Sequence, residues 1–219
     1  GTIYRLNPHK SVGLPFYRDT SLKPVEFKKV HDFDSLNGLN AYGKLIEIKK
    51  GELLGSTPLG GVNEDGVIYT YNYLTEQYQK IYDFDENVIG RIPNGELLLA
   101  NNGKVYGTTE KGGALNEGII YEFDLGTKTA VAVAELDNVN GARFDYGLKQ
   151  ASDNHIYGLA SNGGDFNEGT IVRYDLTQQT LSKVYSFNSS NGSKPSGVLL
   201  EASDGYLYGL TRQGGSSNS

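Results

Sequence analysis

The chain has 219 residues with 20 Lys and Arg against 26 Asp and Glu, a formal net charge of −6. No basic run is long enough to neutralise a row of phosphates, which argues against nucleic acid and anionic membrane surfaces as partners. With no cysteine in the chain, disulfides, thiolate metal centres and cysteine nucleophiles are excluded, and no stretch has the apolar length of a membrane-spanning helix.

In chain order, the first segment is GTIYRLN, residues 1–7. It alternates polar with β-branched and aromatic residues, a strand pattern. The same phrase returns after Gly66, Gly118 and Gly169 as VIYTYN, IIYEFD and TIVRYD. Isoleucine holds one column throughout (Ile3, Ile68, Ile120, Ile171), and Leu6, Tyr71, Phe123 and Tyr174 hold another. Apolar side chains on both faces predict strands covered from two sides. Each phrase ends in Asn or Asp (Asn7, Asn72, Asp124, Asp175), whose short side chain bonds the backbone ahead and starts a turn.

Between Asn7 and Phe27 lie nineteen residues, PHKSVGLPFYRDTSLKPVE, where the other copies have five. Long loops on a rigid scaffold often carry recognition. Phe16, Tyr17 and Arg18 are therefore candidate binding residues, of types in which binding energy concentrates; the alternative is an insertion that only covers a sheet edge.

The second predicted strand is FKKVHDF, YQKIYDF, AVAVAEL and LSKVYSF in the four copies. Its apolar residues fall at every third place, which is neither alternation nor helix; a bulge or a twist would explain it. A third strand carries Leu45, Leu97, Leu148 and Leu199 in one column, and a Ser203-Asp204-Gly205 turn opens the fourth, YLYGLT.

The fourth strand runs into a glycine pair, as in YGLASNGGDFNEGTIVRYD. The glycine after the strand's tyrosine, or after its substitute Leu54, falls at 55, 107, 158 and 209, so the repeat period is 52, 51 and 51 residues. The approximate repeats are 1–65, 66–117, 118–168 and 169–219. The pairs Gly60-Gly61, Gly112-Gly113, Gly163-Gly164 and Gly214-Gly215 are assigned to a sharp, crowded turn. The Asn-Glu that follows (Asn116-Glu117, Asn167-Glu168, and Asn63-Glu64 shifted by one place) reads as turn chemistry. Its alternative, calcium ligation or a charged ring at a channel mouth, has no independent support, and no cofactor is expected.

Four short strands in about fifty residues, repeated, form the unit of an all-β β-propeller with four-stranded blades. A β-solenoid is the competing architecture, but its coils are shorter and carry no internal hairpins. The expectation is a single propeller domain over 1–219, or part of one. The chain either closes into four blades, GTIYRLN completing the sheet begun by YLYGLT, or forms an arc of a larger ring. The start inside a repeat phrase, without methionine, points to a piece of a longer polypeptide.

The order YGLASNGG then GTIVRYD resembles kelch-type propeller repeats. A closer resemblance is to the GloVer tandem repeat of large secreted bacterial proteins, carried here by ASDGYLYGLTRQGGSSN joined to GTIVRYDL and covering essentially the whole chain in four copies. Leu54 for tyrosine, Asn154 for the turn glycine and Val172 for tyrosine depart from the pattern. The resemblance implies a secreted or cell-surface setting and brings no catalytic residues.

No catalytic motif appears. His9, His31 and His155 occupy different repeat columns, and His31 stands where the other copies have Tyr82, Ala134 and Tyr185, a half-buried aromatic substitute. The acids Asp32 and Asp34, or Asp83 and Asp85, recur at strand ends, which fits turns better than acid/base work. The leading expectation is a non-catalytic extracellular module that binds protein or glycan, or acts as a scaffold within a larger surface protein. The alternatives are a hydrolase or lyase with carboxylates at the channel mouth, and a purely structural spacer.

Overall fold

The computed structural model describes residues 1–7, 27–41 and 43–216. Among these residues there are strands and turns but no helix. The strands are β1 (Thr2–Leu6), β2 (Phe27–Asp32), β3 (Ile46–Lys49), β4 (Glu52–Thr57), β5 (Val67–Asn72), β6 (Gln77–Asp83), β7 (Leu98–Leu99), β8 (Val105–Thr109) and β9 (Ile119–Asp124). They continue with β10 (Thr129–Glu135), β11 (Ala142–Phe144), β12 (Lys149–Gln150), β13 (Ile156–Asn162), β14 (Thr170–Asp175), β15 (Thr180–Ser186), β16 (Ser193–Glu201) and β17 (Leu207–Gln213).

Three antiparallel sheets hold four ribbons each: β3-β4-β5-β6, β7-β8-β9-β10, and β11-β13-β14-β15, in which β12 also pairs with β13. Two-stranded sheets, β1-β2 and β16-β17, stand at the chain ends. Each full sheet takes its inner strands from one sequence repeat and its outer strands from the next. No strand pairing links β17 to β1, so the closing pairing of a four-blade ring is not formed.

The doubly apolar strand phrase is explained by packing. Leu54, Ile68 and Phe84 of one sheet meet Val105, Ile119, Tyr121 and Phe123 of the next. The other face of that second sheet gives Tyr106, Ile120 and Leu136 to a core shared with Phe144, Ile156, Val172 and Tyr174. Ile3 and Phe33 meet Val67, Tyr69 and Tyr71 in a third core. Each side chain so enclosed contributes about 2 kcal/mol of burial, and none of these cores exists within one sheet alone. Face-to-face stacking of successive four-stranded sheets is the blade arrangement of a β-propeller.

The three-residue spacing of the second strand is a bulge repeated in every copy. The pairing register skips one residue between Ile3 and Tyr4 opposite Val30, between Ile68 and Tyr69 opposite Ile81, before Ala134 at Val133, and between Ile171 and Val172 opposite Val184. The extra residue shifts the side-chain alternation by one place and strengthens the local twist. The inner strand is less regular than its leucine column predicts. It shrinks to Leu98–Leu99 in one sheet and splits into β11 and β12 in the next, because Asp145, Tyr146 and Gly147 between them have no ladder partners.

Candidate functional site

The glycine pairs form the corners between sheets. All eight residues, Gly60, Gly61, Gly112, Gly113, Gly163, Gly164, Gly214 and Gly215, have positive φ. A Cβ on Gly112 would lie 2.5 Å from the Cα of Gly90, so backbone lies against backbone there. The turn is then locked by its polar neighbours. Asn116 Oδ1 accepts from Gly112 N at 2.9 Å, and Asn167 Oδ1 accepts from Gly163 N at 3.0 Å.

The acids after these asparagines are tied across the corner. Glu117 Oε1 accepts from Asn138 Nδ2 at 2.9 Å, and Glu168 accepts from the hydroxyls of Ser189 and Ser193. In the first corner the matching acid is Asp65, whose Oδ2 accepts from Glu86 N at 2.8 Å. The main-chain carbonyls of Asp65, Glu117 and Glu168 accept from Ile92, Arg143 and Lys194 N, at 3.1, 2.7 and 2.9 Å. Each corner thereby holds the chain where it enters the inner edge of the next sheet: Arg143 and Lys194 are the second residues of β11 and β16, and Ile92 precedes β7. The described residues contain no group of three or more His, Cys, Asp or Glu arranged to hold a metal.

Those anchored residues are strained. Ile92, Arg143 and Lys194 have φ of 59, 66 and 55°, a left-handed conformation that side-chain-bearing residues rarely adopt, and β-branched ones least of all. Strain of this kind persists only where surrounding bonds over-determine it. Here it brings Arg143 and Lys194 to the mouth of a cleft.

That cleft, of about 500 Å³, is lined by Arg143, Asp145, Ser161, Asn162, Lys194, Arg212 and Gln213. It lies between the β11–β15 sheet and the β16-β17 pair. Arg143 Nε donates to Asp145 Oδ1 at 2.7 Å, and its Nη2 is 3.3 Å from Glu110 Oε1. The bond to Asp145 and the charge of Glu110 hold the guanidinium in its charged form, above its ordinary pKa. Lys194 Nζ donates to Asn162 Oδ1 at 2.6 Å. Arg212, at the end of β17, makes no ion pair among the described residues. The site offers fixed donors and a spare positive charge, which is chemistry for holding hydroxyl, carbonyl or carboxylate oxygens.

The other candidates resolve into structure. His155 lies between Asp153 Oδ2 and Asp175 Oδ2, at 3.3 and 3.4 Å. In the preceding repeat, Lys104 takes the same column and pairs with Asp124, so the contact with the strand-end Asp recurs and belongs to the turn. Backbone bonds from Gln178 and Thr177 hold the Asp175 carboxyl below its usual range, with His155 adding to the effect. His31 stacks on Tyr78 with ring centroids 3.8 Å apart. Burial lowers the pKa of its imidazole against the opposing charges of Asp32 and Asp34.

Asp34 and Asp85 cap turns through backbone bonds from Leu36, Asn37 and Asn87. Asp83 accepts from Val62 N and Lys80 Nζ, and Asp32 pairs with Lys29. His9, Phe16, Tyr17 and Arg18 lie outside the described residues.

The stacked four-stranded sheets place the molecule in the all-β class of propeller-like repeat architectures. The chain belongs to the Gloeobacter/Verrucomicrobia repeat family, whose pattern matches residues 1–219. No curated protein matches its sequence. Solved structures share the fold. An extracellular domain from B. thetaiotaomicron, described as belonging to a hybrid two component system, aligns with TM-score 0.58 and 15% identity over 87% of this chain and 23% of that one. A second B. thetaiotaomicron extracellular domain, described as belonging to a one component system, gives 0.53 and 12% over 75% and 19%. A protein described as a gluconolactonase gives 0.55 and 10% over 80% and 57%. The chain spans less than two thirds of the length of each.

Proposed function

We propose that the chain is a non-catalytic β-propeller module of a secreted or cell-surface bacterial protein, and that it binds a polar ligand, a glycan segment or the polar face of a protein, at the Arg143–Lys194–Arg212 cleft. One observation carries this reading: three cationic side chains and two amides from four different strands converge on one cleft, while Arg212 makes no ion pair among the described residues. Donors held by rigid strands bind with little loss of conformational freedom. The extracellular domains of similar fold support the surface setting, and the Phe16-Tyr17-Arg18 loop is proposed as a second contact. In this reading the stacked sheets are blades of a propeller that presents the cleft at its mouth.

The test is a panel of neutral and uronic-acid oligosaccharides measured by calorimetry against the wild-type chain, Arg212→Gln, and Phe16→Ala/Tyr17→Ala/Arg18→Ala. The cleft reading expects a uronic-acid ligand whose affinity falls at least about tenfold in Arg212→Gln, the scale of one lost charge-assisted hydrogen bond. Binding that survives Arg212→Gln but is lost in the triple variant would move the site to the inserted loop. No binding to any oligosaccharide would leave scaffolding as the better reading.

A further inference from the structure

Three columns of the repeat change character in the β11–β15 sheet. Asn154 stands where the other copies have Gly51, Gly103 and Gly205, Gln150 where they have Glu47, Leu99 and Glu201, and Thr177 where Leu74 and Gly126 stand. Each time, a neutral polar side chain replaces glycine, an acid or an apolar residue. The change at Asn154 goes against the backbone. Its φ is 67°, in the left-handed region that the glycines of that column also occupy, and a side chain is kept there at a cost in strain.

The three meet at one cleft of about 430 Å³. It lies between the Asn101–Asn102 hairpin of the β7–β10 sheet and, in the next sheet, the Asp153–His155 hairpin and the Asp175–Thr177 turn. The Arg143–Lys194–Arg212 cleft is a different place: His155 precedes β13 and Ser161 lies near its far end, about 20 Å away along the strand. The volume falls within the ~300–1,000 Å³ of small-molecule sites.

The acids of this cleft are already engaged. Asp153 Oδ1 accepts from His155 N at 3.0 Å and its Oδ2 from the Tyr157 hydroxyl at 2.8 Å. Asp175 Oδ1 accepts from Thr177 and Gln178 N at 2.8 and 2.9 Å, and His155 fills the space between the two carboxylates. Gln150 Oε1 accepts from Asn101 N at 2.8 Å, which ties the two sheets together across the cleft. Among the described residues, the carboxamides of Asn101 and Asn154, Gln150 Nε2 and the Thr177 hydroxyl are left without a hydrogen bond. No Lys or Arg lines the cleft.

A carboxamide sets a donor beside an acceptor, and a hydroxyl is both at once. Adjacent hydroxyls of a sugar therefore satisfy such groups in pairs. A carboxylate or phosphate would find no cation here and would face Asp153 and Asp175, while an ammonium group would compete with the bonds these acids already accept. Leu176, partly buried against the core behind it, adds an apolar wall for the C–H face of a sugar ring. We propose that this cleft is a second binding site, for a neutral sugar unit held through its hydroxyls by Asn101, Gln150, Asn154 and Thr177.

The test follows the side-chain carboxamide resonances of the isotope-labelled chain during titration with maltose, cellobiose, lactose and chitobiose, with glucuronate and glucosamine as charged controls. At least one neutral disaccharide should move the Asn101, Gln150 and Asn154 signals to saturation. Asn154→Gly, which restores the residue of the other copies, and Thr177→Val should each weaken that affinity at least about threefold, the scale of one neutral hydrogen bond, with thermal unfolding close to wild type. Arg212→Gln should leave it unchanged, which separates this site from the Arg143–Lys194–Arg212 cleft. Absence of any saturable shift with the neutral sugars, or binding indifferent to both Asn154→Gly and Thr177→Val, would overturn the site. Tighter binding of glucuronate or glucosamine at the same carboxamides would overturn the assignment to a neutral ligand.

Discussion

Gly112 meets Gly90 backbone to backbone, a Cβ on the first falling 2.5 Å from the Cα of the second. Gly60 with Gly38, Gly163 with Gly141, and Gly214 with Gly192 repeat the contact at 2.8, 2.7 and 3.0 Å to the nearest backbone atom. Gly112 also has φ of +121°, so alanine there suffers both conformational strain and a clash that no side-chain rotation relieves. Gly112→Ala should destabilise the chain by about 2–4 kcal/mol in urea denaturation. Gly103→Ala has positive φ but open space around it, and should cost about 1 kcal/mol. Equal losses at the two positions would refute the close-approach account.

Tyr121 and Tyr106 are both buried, but only one uses its hydroxyl. Tyr121 is fully enclosed and its Oη has no hydrogen-bond partner among the described residues, whereas Tyr106 accepts from Asn102 and donates to Glu122, each at 2.9 Å. A buried unsatisfied hydroxyl costs about 1–3 kcal/mol. Tyr121→Phe should therefore leave stability unchanged or raise it by about 1 kcal/mol, while Tyr106→Phe should lower it by about 1 kcal/mol. Chemical denaturation of the pair decides the matter, and the opposite ranking would contradict the assignment.

The repeating parts of this molecule were readable because one physical demand is met four times in the same columns. Ile3, Ile68, Ile120 and Ile171 mark a strand covered from both sides, and the three-residue spacing around Val30, Ile81, Val133 and Val184 carried the bulge, although spacing alone left a twist open. Gly38, Gly90, Gly141 and Gly192 recur at the repeat period, three of them after Asn, but a single glycine carries no sign of what it touches; their significance is the contact with a second glycine some twenty residues later. The cleft was hidden for the opposite reason. In the column of Arg212 the earlier copies hold Ser161 and Glu110, so no recurrence drew attention to it, and its lining is assembled from separate repeats by the stacking of sheets.

The bulge gives a register test. Val133 is the unpaired extra residue of β10 and packs partly against the core that contains Tyr106, Ile120 and Leu136. Deleting it would pull the following residues one place along, turning Ala134 and Leu136 to the wrong face. Loss of more than about 4 kcal/mol, or insoluble expression, is expected. The exposed neighbour Val131 changed to Thr should stay within about 0.5 kcal/mol of wild type. A soluble deletion variant with native stability would show that the bulge does not set the register.

Alkali attacks the same cores through their phenols. Burial pushes the Tyr69 hydroxyl up to about 12 and that of Tyr106 up to about 12, and it raises Tyr78 and Tyr121 in the same direction. A phenol raised above its unfolded value of about 10 favours the folded state as long as it stays neutral. The stability it contributes is complete below pH 10 and is lost as pH rises from there through the folded value. Phenolate absorbance should therefore rise in two stages, exposed rings first and the buried set together with loss of strand signal in circular dichroism. Tyr69→Phe removes one such group and should move the alkaline unfolding midpoint upward. A single titration near pH 10 with the strand signal intact would mean that these rings are open to solvent and that the sheets are not sandwiched as described.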